Sequence, residues 1–314
     1  MSKTKKLLAA LLACSILIAL AASLSACKKE PEEEKNTSSE ETSTEAEPMP
    51  YPLSINQTEI KASPEKVVCL SPAVAEIIYE MGYGDTIIGR SSYCDYPENV
   101  LGAKDVGTPA NPDINTITDL MPNLVITSTP IASKDIFTME QAGIATVMIP
   151  APTSLEGFSS IYTAMGLIYE GLFTGTSKGE EAYSGISKLL GNTEALNMGK
   201  FVYITENVEI AGGNTFESAV LSCFGTNIAK EGSGYTYDKS LLLENQPDII
   251  LLNSKYSRDT LLNDEILSQL EAVQDNKIIY IDNVFFERPS ARIKELINTL
   301  LSDYKSLGAD VTLN

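Results

Sequence analysis

Residues 67–97, VVCLSPAVAEIIYEMGYGDTIIGRSSYCDYP, form one strand–helix–strand pattern that decides the class of fold. Residues 67–70 are a short apolar run with β-branched side chains, the pattern of a strand buried on both faces. Ser71 can cap the next helix, and Pro72 stands at the first helical position, where its missing N–H costs nothing. Val74, Ile77, Ile78 and Met81 recur at helical spacing and make one apolar face, which Gly82 closes. Residues 86–89 form a second strand. It delivers a polar and aromatic loop, Ser91 to Pro97, at its carboxyl end. Open parallel sheets bind their ligands at such ends.

The same plan runs through the chain. In the first half, residues 124–127 and 146–149 are strands, with short helices at 115–120 and 136–142. In the second half, 201–205 is a strand. Thr215 caps a helix with Phe216, Ala219, Val220 and Cys223 on one face. Residues 238–245 and the strand at 249–252 echo 113–120 and 124–127, and a helix at 266–273 and a strand at 277–281 complete the echo. Between the halves, Ile161, Met165, Ile168 and Leu172 make one apolar stripe, and Ala182, Ile186, Leu189 and Leu190 make another, with a break at 171–175. The expected architecture is two similar α/β lobes joined by a long helix: lobes at 52–152 and 199–314, connecting helices at 153–198, and a last helix capped by Ser290. Two such lobes leave a cleft, a favoured place for a ligand.

The amino end is of another kind. Residues 1–26 have a basic start and an apolar run, which makes a signal peptide. Leu24-Ser25-Ala26-Cys27 resembles the lipobox of bacterial lipoproteins, which implies lipidation of Cys27. Residues 27–51 are rich in Glu, Ser and Thr and cannot offset the entropy of ordering, so they read as a disordered acidic tether holding an extracytoplasmic body at the cell membrane.

Charge and missing residue types exclude much. The formal charge is −19, and loss of Lys3, Lys5 and Lys6 with the leader takes it to −22. Such a surface repels nucleic acid and anionic headgroups. The chain has no His, which excludes His-ligated zinc, haem or manganese. Beyond the leader the cysteines are Cys69, Cys94 and Cys223, an odd number without a framework spacing. Cys69 and Cys223 read as core residues, and Cys94 has no base to make it a nucleophile. No Ser–His, Cys–His or metal constellation is present, so neither an enzyme, a metal site nor a resident cofactor is expected.

Four segments carry a resemblance: Leu70-Ser71-Pro72-Ala73 with Glu76; residues 89–97; Pro122-Asn123-Leu124-Val125-Ile126; and residues 286–293, FERPSARI. With the lipobox and tether, the chain resembles the substrate-binding lipoproteins of ABC importers, in the group that binds cobalamin, haem and ferric siderophores. The second and fourth segments look most like its cobalamin-binding members, with Ser-Tyr-x-Asp-Tyr-Pro and Phe-Glu-Arg-x-Ser-x-Arg-Ile. The resemblance implies a monomer with a helical backbone between the lobes, and a permease and its ATPase as partners. It implies a corrinoid cargo, cobalamin or cobinamide, with a ferric siderophore, haem, or a sensor or adhesin role as alternatives. It also implies a cleft lined by Pro72, Ala73, Ser91, Tyr93, Cys94, Tyr96, Phe285, Phe286 and Arg288. The positions that match the group's cleft tryptophans hold Pro109 and Ser128. Glu76 matches a permease-docking acid and is expected to be exposed, and Glu217 stands beside the second-lobe equivalent, Ser218. Gly212-Gly213-Asn214 precedes a helix and can offer N–H groups to a ligand.

Overall fold

The apolar runs settle into two parallel sheets in a computed structural model, which describes residues 49–192 and 196–308. The leader, Cys27 and the tether through residue 48 lie outside the described residues. A short hairpin of β1 (Leu53–Ile55) and β2 (Thr58–Ile60) leads into β3 (Val67–Cys69), all three residues of which are buried. The chain continues through α1 (Pro72–Glu80), β4 (Ile87–Arg90), β5 (Lys104–Asp105), the small pair β6 (Gly107–Thr108) and β7 (Asn111–Pro112), and α2 (Ile114–Leu120). Then come β8 (Leu124–Thr127), α3 (Ser133–Gln141) and β9 (Ala145–Met148). The first sheet has the order β5-β4-β3-β8-β9 and is parallel throughout. Ser71 accepts a hydrogen bond from the Val74 N–H, and Pro72 opens the helix, as the sequence predicts.

The helical link α4 (Leu155–Gly191) leads to the second lobe. There β10 (Lys200–Ile204), α5 (Phe216–Leu221), β11 (Thr226–Asn227), β12 (Ile249–Asn253), α6 (Arg258–Leu262), α7 (Glu271–Gln274), β13 (Ile278–Ile281), α8 (Val284–Glu287) and α9 (Ile293–Ser306) follow. The sheet order is β11-β10-β12-β13, again parallel.

The link folds back on itself at Gly171, whose φ of 73° places it where only glycine is at ease. Rings from opposite ends prove the reversal: Phe158 and Tyr183 lie 5.4 Å apart, although 25 residues of straight helix would separate them by roughly 37 Å. Glycines permit the close approach. A Cβ on Gly166 would stand 2.0 Å from the Gly175 carbonyl oxygen, and one on Gly179 would stand 2.5 Å from that of Tyr162.

Three expectations need correction. The helix expected at 266–273 is broken, because Asp264 accepts from the Ile266 and Leu267 N–H groups and Leu270 is extended between a 3-10 turn and α7. The segment 238–245 is a 3-10 turn capped by Asp238. Ser290 is not the N-cap of the last helix, which begins at Ile293: Arg292 holds that place, and Ser290 Oγ accepts from the Arg292 N–H at 3.3 Å while donating to Glu76.

A single apolar cluster runs from Val74 and Ile77 in α1 through Phe158 and Tyr162 in α4 to Phe216, Phe286, Ile293 and Leu296 in the second lobe. The lobes therefore share a core. Gly166→Val is expected to destabilise the protein by about 3 kcal/mol, since backbone atoms rather than a flexible side chain must move. Thermal unfolding followed by circular dichroism checks this, and an unchanged midpoint would refute the packing described here.

Candidate ligand site between the lobes

Asp95 lies in the loop that leaves the carboxyl end of β4, and Arg288 follows α8, just beyond the carboxyl end of β13. Their side chains form an ion pair. The two parallel sheets therefore turn their carboxyl ends toward each other, the ends at which such sheets bind ligands. A cavity of about 450 Å³ opens here. Ala151, Pro152 and Thr153 come to it from the end of the first lobe, and Glu206, Glu209, Phe216 and Tyr235 are among the residues that come from the second.

Beside the ion pair a second contact joins the lobes. Glu76 in α1 is 5% exposed, and its Oε2 accepts a hydrogen bond of 2.5 Å from the Ser290 hydroxyl. An Arg292 guanidinium nitrogen stands 3.7 Å from Oε1, while Oε1 and Arg292 Nε have no hydrogen-bond partner. Arg292 also lies 4.7 Å from the centroid of the Tyr96 ring and 5.7 Å from that of Phe285. Glu80, one turn along, accepts from the Tyr162 hydroxyl at 2.6 Å and stands 3.6 Å from Lys294. Burial raises the Glu76 carboxyl above its ordinary value, and the Ser290 hydrogen bond and the Arg292 and Arg288 charges offset only part of that.

The expected exposure of Glu76 is thus overturned. The helix face away from the apolar stripe meets the other lobe, not solvent. Glu217 is buried too, and its Oε1 accepts from the Tyr235 hydroxyl at 2.8 Å. In this conformation neither acid stands free to meet a partner's arginine.

The remaining predicted residues divide. Tyr93 is 55% exposed and Tyr96 is also exposed, while Pro72, Phe285 and Arg288 are half-buried. Ser91 and Cys94 are buried within the loop after β4 and Ala73 is buried in α1, so none of the three lines an open surface. Ser91 Oγ accepts from the Tyr93 N–H at 3.1 Å, which sets the turn that presents Tyr93. The Cys94 thiol points toward the Cys69 carbonyl, and burial pushes it up to about 12, so it stays protonated. Phe286 packs against Tyr203 at 5.3 Å and is buried, leaving one face on the cavity. The N–H groups of Gly212 and Gly213 are taken by the carbonyls of Gly234 and Gly232, so this pair has none to offer a ligand. Sequence reading missed Glu206, Glu209 and Tyr235. The first two follow β10 directly, so the strand-end rule was the signal that could have found them.

Comparison with known proteins gives three kinds of match. A profile of the family described as periplasmic binding protein matches residues 67–284. A vitamin B12-binding protein of Vibrio campbellii is 24% identical over 255 residues, covering 77% of this chain and 90% of that protein. Among solved structures, the periplasmic vitamin B12-binding protein of Vibrio cholerae superposes with a TM-score of 0.60 at 20% identity, covering 79% of this chain and 99% of that one. The periplasmic haem-binding protein of Vibrio cholerae superposes with a TM-score of 0.64 at 17% identity, covering 76% of this chain and 97% of that one. These superpositions share a fold and do not separate one cargo from another.

Glu76 binds its proton more tightly in the folded chain than in the unfolded one. The stability it contributes is therefore full below the unfolded carboxylate pKa and declines as pH rises through the raised native one. The melting temperature of the native protein minus that of Glu76→Gln is expected to fall as pH rises above the ordinary glutamate range of about 4.3. A difference that stays flat as pH rises would contradict the burial of this carboxyl. Arg292→Ala leaves the carboxylate without its partner and is expected to cost about 3 kcal/mol in chemical denaturation.

Proposed function

This chain belongs to the periplasmic binding protein family, and from that premise we propose that it is the substrate-binding lipoprotein of an ABC importer, carrying a corrinoid between its lobes. The observation that carries this reading is the apposition of two parallel sheets by their carboxyl ends, with a cavity between them. A site of this kind binds and releases. The groups that meet there, Tyr235 with Phe216 and Phe286, glutamates and asparagines, are suited to stacking and hydrogen bonding. Tyr93 is 55% exposed on the loop that follows β4, and Tyr235 stands in the cavity wall. The corrin ring of such a cargo has broad apolar faces and a rim of carboxamides, which suit aromatic rings and carboxylate acceptors respectively. The lipobox resemblance at Cys27 and the acidic tether support a place on the outer side of the cell membrane, where the body would hand its cargo to a permease driven by an ATPase.

The full chain in detergent is mixed separately with cyanocobalamin, cobinamide, haem and a ferric siderophore, then passed through gel filtration with visible absorbance recorded across the protein peak. Corrinoid colour is expected to travel with the protein, and Tyr93→Ala is expected to weaken retention about tenfold, the effect of one lost stacked ring of roughly 1.4 kcal/mol. Migration of haem or siderophore with the protein, and of neither corrinoid, would retain the transport class and reject the cargo.

A further inference from the structure

We propose that the interlobe cavity is built to refuse anions, so that its cargo is neutral or cationic, with Glu206 and Glu209 setting that preference. The proposal rests on the reading above for the place where cargo binds, and adds the sign of its charge. Two independent observations carry it.

The first is the cavity wall. Glu206, Glu209, Glu217 and Glu287 all line it, and no Lys or Arg does. Glu217 is held by the Tyr235 hydroxyl and Glu287 by the Asn283 amide at 2.7 Å, both neutral donors that leave the negative charge in place. Glu206 has Lys255 at 3.8 Å, an exposed pair that compensates little. Glu209 has no ion pair among the described residues. A concave wall of one sign focuses its field on whatever enters.

The second is the fate of the arginines. The chain has only four, and each is already engaged. Arg90 donates to the carbonyls of Ser91 and Cys94. Arg258 donates to those of Val273 and Gln274. Arg288 is paired with Asp95, and Arg292 stands beside Glu76 and over Tyr96. Receiving a carboxylate or sulfonate usually takes a free guanidinium fork, and no such fork remains. A dianionic ligand such as haem would lose hydration on entering and meet only like charge. A ligand that brings positive charge, or a rim of N–H donors, finds acceptors already in position.

The test uses the full chain in detergent at low salt, titrated with two porphyrins of similar size, one bearing four N-methylpyridinium groups and one bearing four sulfonates, and in parallel with cobinamide and haem. The cationic porphyrin is expected to bind at least tenfold more tightly than the anionic one. Glu206→Gln/Glu209→Gln is expected to shrink that ratio about tenfold. The control Glu59→Gln/Glu140→Gln makes the same change in net charge at residues outside this cavity and is expected to leave the ratio in place. All four residues are exposed or half-buried, so both variants should keep the native melting curve. Equal affinity for the two porphyrins, retention of neither, or an equal response of both variants would overturn the proposal. Binding of cobinamide and haem with equal affinity would overturn it while leaving the transport reading intact. Loss of cobinamide binding with the porphyrin preference preserved would refute the corrinoid assignment and uphold the charge rule.

Discussion

A carboxylate that water cannot reach must be answered from within the protein, and Glu76 is answered by the opposite lobe. Ser290 and Arg292 come from the far end of the chain, yet they meet a helix that forms within its first hundred residues. Two consequences spread from this contact. The Ser290 hydroxyl gives its proton to this contact while accepting the Arg292 N–H, so the start of the last helix is fastened to the first lobe. Arg292, held beside the acid, lies near the rings of Tyr96 in the loop after β4 and Phe285 in α8, and so joins a first-lobe loop to a second-lobe helix. Breaking such a pair from one side strands a charge in a low dielectric, which is why the relative placement of the lobes is specific and not merely close.

The fold was legible because each level of the sequence agreed with the next. Buried strands of β-branched residues, helices with caps and one apolar face, and the echo between the halves all pointed to parallel sheets. Even the break in the helical link could be read from Gly171. What could not be read was the direction the chain took after that break, since periodicity reports the face of a helix and not where it points. The loops that the sequence singles out do lie at strand ends, while the expected exposure of Glu76 fails. Glu76 sits off the apolar stripe, and a single helix viewed alone assigns such a residue to solvent. Its burial is a property of the other lobe, 214 residues away in sequence. Ser91 and Cys94 are likewise buried: composition marks the loop as unusual but does not say which side chains turn inward.

The electrostatics of the molecule are uneven in a way its net charge conceals. Arginine is scarce, and all four copies are spent on carbonyls, carboxylates or aromatic rings. Acidic residues remain to line the cavity. The same acidity that keeps the surface soluble is thus carried into the site, where low-dielectric walls make it count for more.

The turn of the helical link also receives Pro50 and Tyr51. Leu172 N–H donates to the Pro50 carbonyl, and the Tyr51 hydroxyl to that of Ile168. Any pull arriving along the polypeptide from its amino side is therefore delivered to the tip of the hairpin, not to a strand of either sheet. Under the proposed anchoring, the chain would hang from its spine. Load would be taken up as tension along stiff helices packed glycine to glycine, and the strand ends around the cavity would stay slack.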